Sequence, residues 1–288
     1  MNDTVLLEKD GRIGRITLNR PDVLNAIDGD MPQAIADRVA EANADDEIHV
    51  IILSGAGRAF CAGYDLTYYA SSQEGDGHAL TQDMPWDPMQ DYAFMHRNTE
   101  LFMSLWHSHK PVIAKVRGFA AAGGSDIALC CDMIVMADDA EIGYMPARVW
   151  GCPTTAMWTY RVGPEQAKRL LFTGDRINGE EAEKIGLVLK SVPEGELDAW
   201  VDRLAERIAT VPTNQLMMQK IVINQAIEAM GLLNTQKFAT LFDGITRHSP
   251  EGMNFKHRSE EKGWKETVRE RDNGTFDWTS NRPINPKA

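Results

Sequence analysis

The chain of 288 residues is long enough to bury a large core, and its 43% hydrophobic and 25% charged residues are typical of a globular protein. Its 42 acidic side chains outnumber 30 Lys and Arg, and the formal charge of −12 disfavours a broad nucleic-acid surface. The sequence has no apolar run of about 18 residues and no signal-peptide pattern, which argues against a membrane-spanning protein. It also has no Cys-x-x-Cys pair, which argues against a structural zinc site and favours reduced thiols in the cytoplasm.

The N-terminal stretch predicts a hairpin, a helix and a strand. "TVLLEK" and "RIGRITLN" are β-rich runs separated by "DG", a strong hairpin turn signal. Asp28 is expected to cap the helix that follows, whose apolar residues recur at helical spacing. Residues 49–54, "HVIILS", then predict a short apolar strand.

The middle of the chain alternates between helix and strand. Residues 71–90 are polar and rich in Gly, Pro and Asp, so we expect a mobile loop there. Helical spacing returns at 90–108, and strands are predicted at 110–118 and 132–138. Short buried strands alternating with helices favour an α/β fold.

From about residue 155 onward we expect only helices. "EQAKRLLF", "LDAWVDRLAERIAT" and "NQLMMQKIVINQAIEAMG" have helical patterns, and "EEKGWKETVRERD" predicts a last helix. Their wide apolar faces indicate that they complete a subunit interface, so we expect an oligomer.

Two glycine-containing stretches follow predicted strands and are candidate sites. Residues 54–66, "SGAGRAFCAGYDL", fit neither the dinucleotide fingerprint, because position 60 is Phe, nor a phosphate loop, because no G-K-[ST] follows. In residues 119–132, "FAAAGGSDIALCCD", a glycine pair precedes a helical pattern that contains Asp126. Each stretch can present a backbone N–H to one carbonyl oxygen, or can simply be a tight turn.

Several motifs in order along the chain resemble the crotonase (enoyl-CoA hydratase/isomerase) superfamily. They are "LNRPDVLNAID", "VIILSGAGRAFCAGYDL", "KPVIAKVRGFAAAGGSDIALCCDMIVMADDAEIG", "FTGDRINGEEAEKIGLV" and "SPEGMNF". The resemblance implies a superhelix of ββα turns over residues 1–200 and a helical trimerisation region over residues 201–288. It also implies a homotrimer or a hexamer that acts on an acyl-CoA thioester, with no cofactor beyond the coenzyme A of the substrate.

The resemblance also assigns ligand contacts. The thioester carbonyl is expected in an oxyanion hole made by the N–H groups of Tyr64 and Gly123, with the start of the helix at Gly124 adding its positive dipole end. The acyl pocket is expected to include Pro146 and Trp150. The expected contacts with coenzyme A, mostly through backbone atoms, are Val23, Ala26, Ala62, Gly63, Asp65 and Leu66.

The catalytic carboxylates depart from the family pattern. Family hydratases use two glutamates, and the first of these positions is Asp126 here, with a shorter reach. The second position falls on Pro146 or Ala147, neither of which transfers a proton. Candidate substitutes are Tyr144, Arg148, Trp150, Tyr68, His96 and Asp65.

Other charged or reactive residues carry weaker expectations. Asp132 matches a family position with a structural role, and Cys61 lacks an evident base, which makes it a poor nucleophile. The cations expected near the phosphates of coenzyme A, or alternatively on a solvated face, are Lys115, Lys256, His257 and Arg258.

Three functions remain open from the sequence. The first is hydration of an enoyl-CoA through an enolate-like intermediate. The second is isomerisation or hydrolysis of an acyl-CoA, for which Asp126 alone can move the proton. The third is acyl-CoA binding with little catalysis.

Overall fold

In a computed structural model, residues 4–71 and 82–284 are described. The strands are β1 (Val5–Asp10), β2 (Ile13–Leu18), β3 (Val50–Gly55), β4 (Val112–Val116), β5 (Phe119–Ala121), β6 (Met133–Ala137), β7 (Glu141–Gly143), β8 (Arg176–Asn178), β9 (Lys190–Val192), β10 (Phe276–Asp277) and β11 (Arg282–Pro283). The α-helices are α1 (Met31–Ala44), α2 (Leu66–Ser71), α3 (Pro88–His107), α4 (Gly123–Leu129), α5 (Met157–Thr173), α6 (Gly179–Lys184), α7 (Glu194–Ala209), α8 (Thr213–Ala229), α9 (Leu232–His248), α10 (Pro250–Lys262) and α11 (Trp264–Asn273).

The main sheet has the strand order β1-β2-β3-β4-β6-β9. β1 and β2 form the predicted antiparallel hairpin, in which Gly11 has the positive φ of 57° that the tight turn requires. The other neighbours in this sheet are parallel. The residues of β3 from Val50 to Leu53 are at most 1% exposed, because helices or loops cover both faces, as is usual for parallel strands.

A second, smaller sheet has the order β5-β7-β8. The chain passes from β4 to β5 and then from β6 to β7, so each turn contributes one strand to each sheet before a helix follows. In the preceding turn, Cys61 forms a parallel bridge with Ala120 of β5. This repetition is the predicted superhelix of ββα turns.

The expected end of the strands near residue 155 is wrong. β8 and β9 both lie beyond it, and β9 pairs with β6 at the edge of the main sheet. Each has three residues, too few for a period-two pattern to emerge from the surrounding helical residues.

Two predicted helix boundaries also change. The single last helix predicted from "EEKGWKETVRERD" is the end of α10 followed by α11, because Gly263 has a φ of 84° and interrupts it. Asp28 does bind the N–H of Met31 (2.9 Å), but α1 begins only at Met31. Half of the predicted loop over 71–90, residues 72–81, lies outside the described residues, and α3 begins at Pro88.

Candidate active site

Two glycine-containing turns pack directly against each other. The N–H of Cys61 donates to Phe119 O (2.8 Å), and the N–H of Ala121 donates back to Cys61 O (2.9 Å). A Cβ atom on Gly124 would lie 2.2 Å from Cys61 O, so only glycine permits this approach. Gly63 has a φ of 93°, and a Cβ there would lie 3.4 Å from Gly123 N. The loop after β3 and the start of α4 are therefore adjacent.

Two backbone N–H groups at this junction have no acceptor among residues 4–71 and 82–284. The N–H of Ile27 donates to Gly63 O, and the N–H of Asp65 donates to Ile27 O, so these two hydrogen bonds form a short parallel bridge. Tyr64 lies between Gly63 and Asp65, and its N–H points away from this bridge. Gly123 is the first residue of α4, where an amide has no partner within its own helix. Tyr64 and Gly123, the two residues that carry these N–H groups, both line one cavity.

This cavity has a volume of about 160 Å³. It combines the two turns with the segment after β7 and with side chains from the C-terminal helices. Its lining residues are Ala62, Tyr64, Leu66, Met95, Ala122, Gly123, Tyr144, Met145, Pro146, Trp150, Asp243, Arg247, Val268, Arg271 and Asp272.

Asp126 lies in the first turn of α4 and is 3% exposed. Thr155 donates its hydroxyl to Asp126 Oδ1 at 2.6 Å. The pKa of Asp126 is raised to about 8, mainly by burial and to a smaller extent by the negative charge of Asp243, against the opposing effect of the Thr155 hydrogen bond. Asp126 is therefore predominantly protonated at neutral pH. It does not itself line the cavity, but it lies three residues after Gly123, which does.

A buried ionic cluster that the sequence did not predict borders the same cavity. Arg247 of α9 contacts Asp91 (Nη1–Oδ1, 2.9 Å) and Asp243 (Nη2–Oδ2, 3.0 Å). In sequence, Asp243 and Arg247 form an i, i+4 pair, which usually lies on an exposed helix surface. One feature of the sequence does indicate that this pair is buried. The small residues Thr240 and Gly244 lie beside it on α9 and permit another helix to pack closely there.

The predicted site residues divide into two groups. Tyr64, Gly123, Ala62, Leu66, Pro146 and Trp150 line the cavity. The others do not line it: Val23, Ala26, Gly63, Asp65, Gly124 and Asp126. Of this second group, Val23 is 42% exposed, whereas Ala26 and Gly124 are buried.

Most of the proposed substitutes for the second glutamate point elsewhere. Asp65 binds Arg20 (3.0 Å) and accepts the N–H of Tyr68, and His96 stacks on Tyr92 with ring centroids 5.3 Å apart. Arg148 donates to the carbonyl oxygen of Thr173.

Two of those substitutes, Tyr144 and Trp150, do line the cavity. Burial raises the pKa of Tyr144 well above its ordinary value. Pro146 lies in a 3-10 helix, Met145–Arg148, and faces the cavity, whereas Ala147 does not line it.

The cations expected near coenzyme A mostly have acidic partners. Lys115 binds Asp198 (2.6 Å), Lys256 binds Asp83 (3.2 Å) and Arg258 pairs with Glu270. These three ion pairs and the exposure of His257 are compatible with a solvated face.

Two residues expected to be non-catalytic have structural surroundings. Asp132 accepts the N–H of Val112 (2.7 Å) and pairs with the buried Lys220 (2.8 Å). Burial raises the pKa of the Cys61 thiol to about 12, which leaves little thiolate at neutral pH.

The repeated ββα turns, with a cavity at the junction of two of them, define the class of fold to which the chain belongs. A family model described as Enoyl-CoA hydratase/isomerase matches residues 8–265, and the chain belongs to this family. The resemblance seen in the sequence, including the crotonase fold, is thereby confirmed.

Named relatives and solved structures agree with this membership. The chain is similar to a crotonyl-CoA hydratase of Syntrophomonas wolfei (32% identity, covering 78% of this chain and 83% of the relative) and to a short-chain-enoyl-CoA hydratase of Clostridium acetobutylicum (31%, 78% and 83%). A crystal structure of an enoyl-CoA hydratase from Mycobacterium smegmatis superposes with a TM-score of 0.88 at 44% identity, covering 95% of this chain and 94% of that one.

Proposed function

We propose that this protein hydrates short enoyl-CoA thioesters through an enolate-like intermediate. The observation that carries the proposal is that Tyr64 and Gly123, whose N–H groups have no acceptor in the described residues, line one cavity. Two such donors stabilise negative charge on a thioester oxygen, and each contributes roughly 3 kcal/mol to a reaction of this kind. A volume of about 160 Å³ is below the roughly 300–1,000 Å³ of drug-sized sites, which supports a short acyl group.

In this mechanism the oxygen of water adds to the β-carbon of the conjugated double bond. The electron pair of that bond moves onto the thioester oxygen, where the amides of Tyr64 and Gly123 receive it. Asp126 is protonated at neutral pH because it is buried, so it can give a proton to the α-carbon as the enolate collapses.

Isomerisation of a double bond is the alternative that the site also supports, because one neutral carboxyl, Asp126, can move a proton between carbons. The two reactions differ in product mass. Incubation with crotonyl-CoA, followed by absorbance and mass spectrometry, should show loss of conjugation with a gain of one water. Retained mass with a shifted double bond would instead establish isomerisation.

The oxyanion assignment can be tested with a pair of substitutions at one position. Gly123→Pro removes the N–H, whereas Gly123→Ala keeps it. Both variants place a Cβ 2.8 Å from Ile27 and 3.0 Å from the Tyr64 ring, so this part of the steric disturbance is shared. Proline is otherwise acceptable at the first position of a helix. We expect kcat for Gly123→Pro to be about 100-fold below that for Gly123→Ala. Equal rates for the two variants would show that this amide does not stabilise the intermediate.

We also propose that copies of this chain self-associate through α8 and α9. Large apolar side chains on these helices are exposed, among them Val222 (69%), Phe238 (63%) and Phe242 (51%). A groove of about 510 Å³ also lies along α8. Phe238→Glu should reduce the mass measured by light scattering, whereas Phe172→Glu, at an 80% exposed site on α5, should leave it unchanged. A wild-type chain that elutes as a monomer would refute this proposal.

Two observations bear on location. None of the helices in the described ranges is long and apolar enough to cross a membrane. The four cysteines are unpaired thiols, three of them buried, which supports our assignment to a reducing compartment such as the cytoplasm.

A further inference from the structure

The buried cluster at the cavity wall contains one carboxylate more than its guanidinium neutralises. Asp91, Asp243 and Arg247 are 4%, 3% and 2% exposed. Arg247 Nη1 contacts Asp91 at 2.9 Å, and its Nε and Nη2 contact Asp243 Oδ2 at 3.2 and 3.0 Å. Burying an unneutralised carboxylate costs several kcal/mol, so a cluster selected for stability alone would not need both acids.

The two carboxylates differ in what they face. Asp91 does not border the cavity, whereas Asp243 does. In the described structure Asp243 accepts three hydrogen bonds: two from Arg247 to Oδ2, and one from the N–H of Cys152 to Oδ1 at 2.9 Å. A carboxylate offers about four acceptor positions, so Asp243 retains capacity for a ligand in the cavity.

A single short segment links Asp243 to Asp126. Cys152 holds Asp243 through its backbone N–H, and three residues later Thr155 holds Asp126 through its hydroxyl. The two carboxyls are close enough for the charge on Asp243 to raise the pKa of Asp126. Asp243 lines the cavity from α9, and Asp126 on α4 lies three residues after Gly123, which lines the same cavity together with Tyr64.

We propose that Asp243 is a second acid–base residue of this active site, filling the role left vacant by Pro146 and Ala147. The inference rests on the proposed hydration. Burial raises the pKa of Asp243, and Arg247 and the N–H of Cys152 oppose that rise because they favour the carboxylate. In its carboxylate form, Asp243 removes a proton from water as the oxygen of that water bonds to the β-carbon. The electron pair of the double bond passes to the thioester oxygen, and Asp126 delivers its proton to the α-carbon. Transfer of the proton from Asp243 back to Asp126 through solvent restores both groups.

The chain offers a matched pair of variants for the test. Asp243→Asn and Asp91→Asn each remove one buried carboxylate that contacts Arg247, and each leaves Arg247 paired with the other. Only the first removes an acid from the cavity wall. Three quantities are measured at pH 8: the rate of crotonyl-CoA hydration, the affinity for butyryl-CoA, and the rate of deuterium exchange from D2O into the α-carbon of butyryl-CoA. The exchange reaction needs the proposed oxyanion hole and Asp126, but it does not need the addition of water.

We expect Asp243→Asn to lower hydration by about 100-fold or more while α-carbon exchange and butyryl-CoA binding stay within a few fold. Asp91→Asn should keep hydration within about fivefold. Hydration by Asp243→Asn at the wild-type rate, or equal losses in both variants, would overturn the role of Asp243 and leave the proposed function standing. A wild-type protein that neither hydrates nor exchanges would overturn both.

Chemical rescue provides a second test if Asp243→Asn does not fold. In Asp243→Ala, formate in the buffer can occupy the vacated space and accept the proton. Hydration that recovers with formate concentration supports the assignment. The absence of recovery in a folded Asp243→Ala variant that still binds butyryl-CoA refutes it.

Discussion

Asp126→Asn should make the protein more stable while it abolishes turnover. The carboxyl is buried, and the pKa of Asp126 rises from an ordinary 3.8 to about 8, so the folded chain holds a proton that the unfolded chain releases at neutral pH. Asparagine is neutral in both states and can still accept the hydroxyl hydrogen bond of Thr155. The substitution therefore removes a cost of folding.

The sign and the size follow from the two pKa values. Below about pH 4 the carboxyl is protonated in both states, and the cost is absent. Between about pH 4 and 8 the unfolded chain loses the proton first, so the stability contributed by this group falls as pH rises, and it levels off above about pH 8. A pKa difference of about four corresponds to an upper limit on the order of 5 kcal/mol.

Thermal melting of both proteins from pH 4.5 to 8.5, at one protein concentration, measures this effect. The melting temperature of Asp126→Asn should exceed that of the wild type by several degrees at pH 8, and the difference should shrink towards pH 4.5. Asp132→Asn is the control and should be destabilising, because its carboxylate pairs with Lys220 at 2.8 Å. A difference for Asp126→Asn that does not depend on pH, or that grows towards acid, would refute the assigned protonation state.

Two further predictions concern the packing around the site. Lys220→Met should lower the free energy of unfolding by roughly 3 kcal/mol, because it leaves the buried carboxylate of Asp132 without the ammonium group of Lys220. In chemical denaturation, the double variant with Asp132→Asn should recover part of that loss. An unchanged denaturation midpoint for Lys220→Met would contradict this prediction. Gly124→Ala should reduce butyryl-CoA binding, measured by calorimetry, and lower the melting temperature, because its Cβ would lie 2.2 Å from Cys61 O. The control is Gly195→Ala, whose Cβ would meet nothing within 4 Å, and it should leave both quantities nearly unchanged. Normal binding by Gly124→Ala would show that the two turns tolerate separation.

Much of the fold could be predicted from the sequence because the patterns that indicate its elements span only a few residues. The "DG" turn, the apolar run of β3 and the glycine stretches each reflect constraints that act over a few residues, and the structure has the hairpin, the strand and the adjoining turns. The roles assigned to Tyr64, Gly123 and Asp126 stay predictions, as does the division at residue 200. The structure brings the first two to one cavity.

Asp243 could not be predicted because its environment is made by tertiary packing. An acid and an arginine four residues apart on a helix are usually solvated, and nothing near Asp243 in sequence shows that α3 brings Asp91 to the same guanidinium. β9 was missed for a related reason: a strand of three residues is defined by its partner, β6, rather than by its own pattern.

The cavity draws on two parts of the chain with different contents. The ββα body contributes Tyr64 and Gly123 together with side chains such as those of Tyr144 and Trp150, whereas α9 and α11 contribute charged side chains, including Asp243 and Arg271. In the proposed mechanism the two amides and Asp126 belong to the ββα body, and only the second acid–base residue, Asp243, belongs to the last helices. A lineage with this architecture can therefore change residues on its last helices, and with them the fate of the proposed intermediate, while it keeps the two amides.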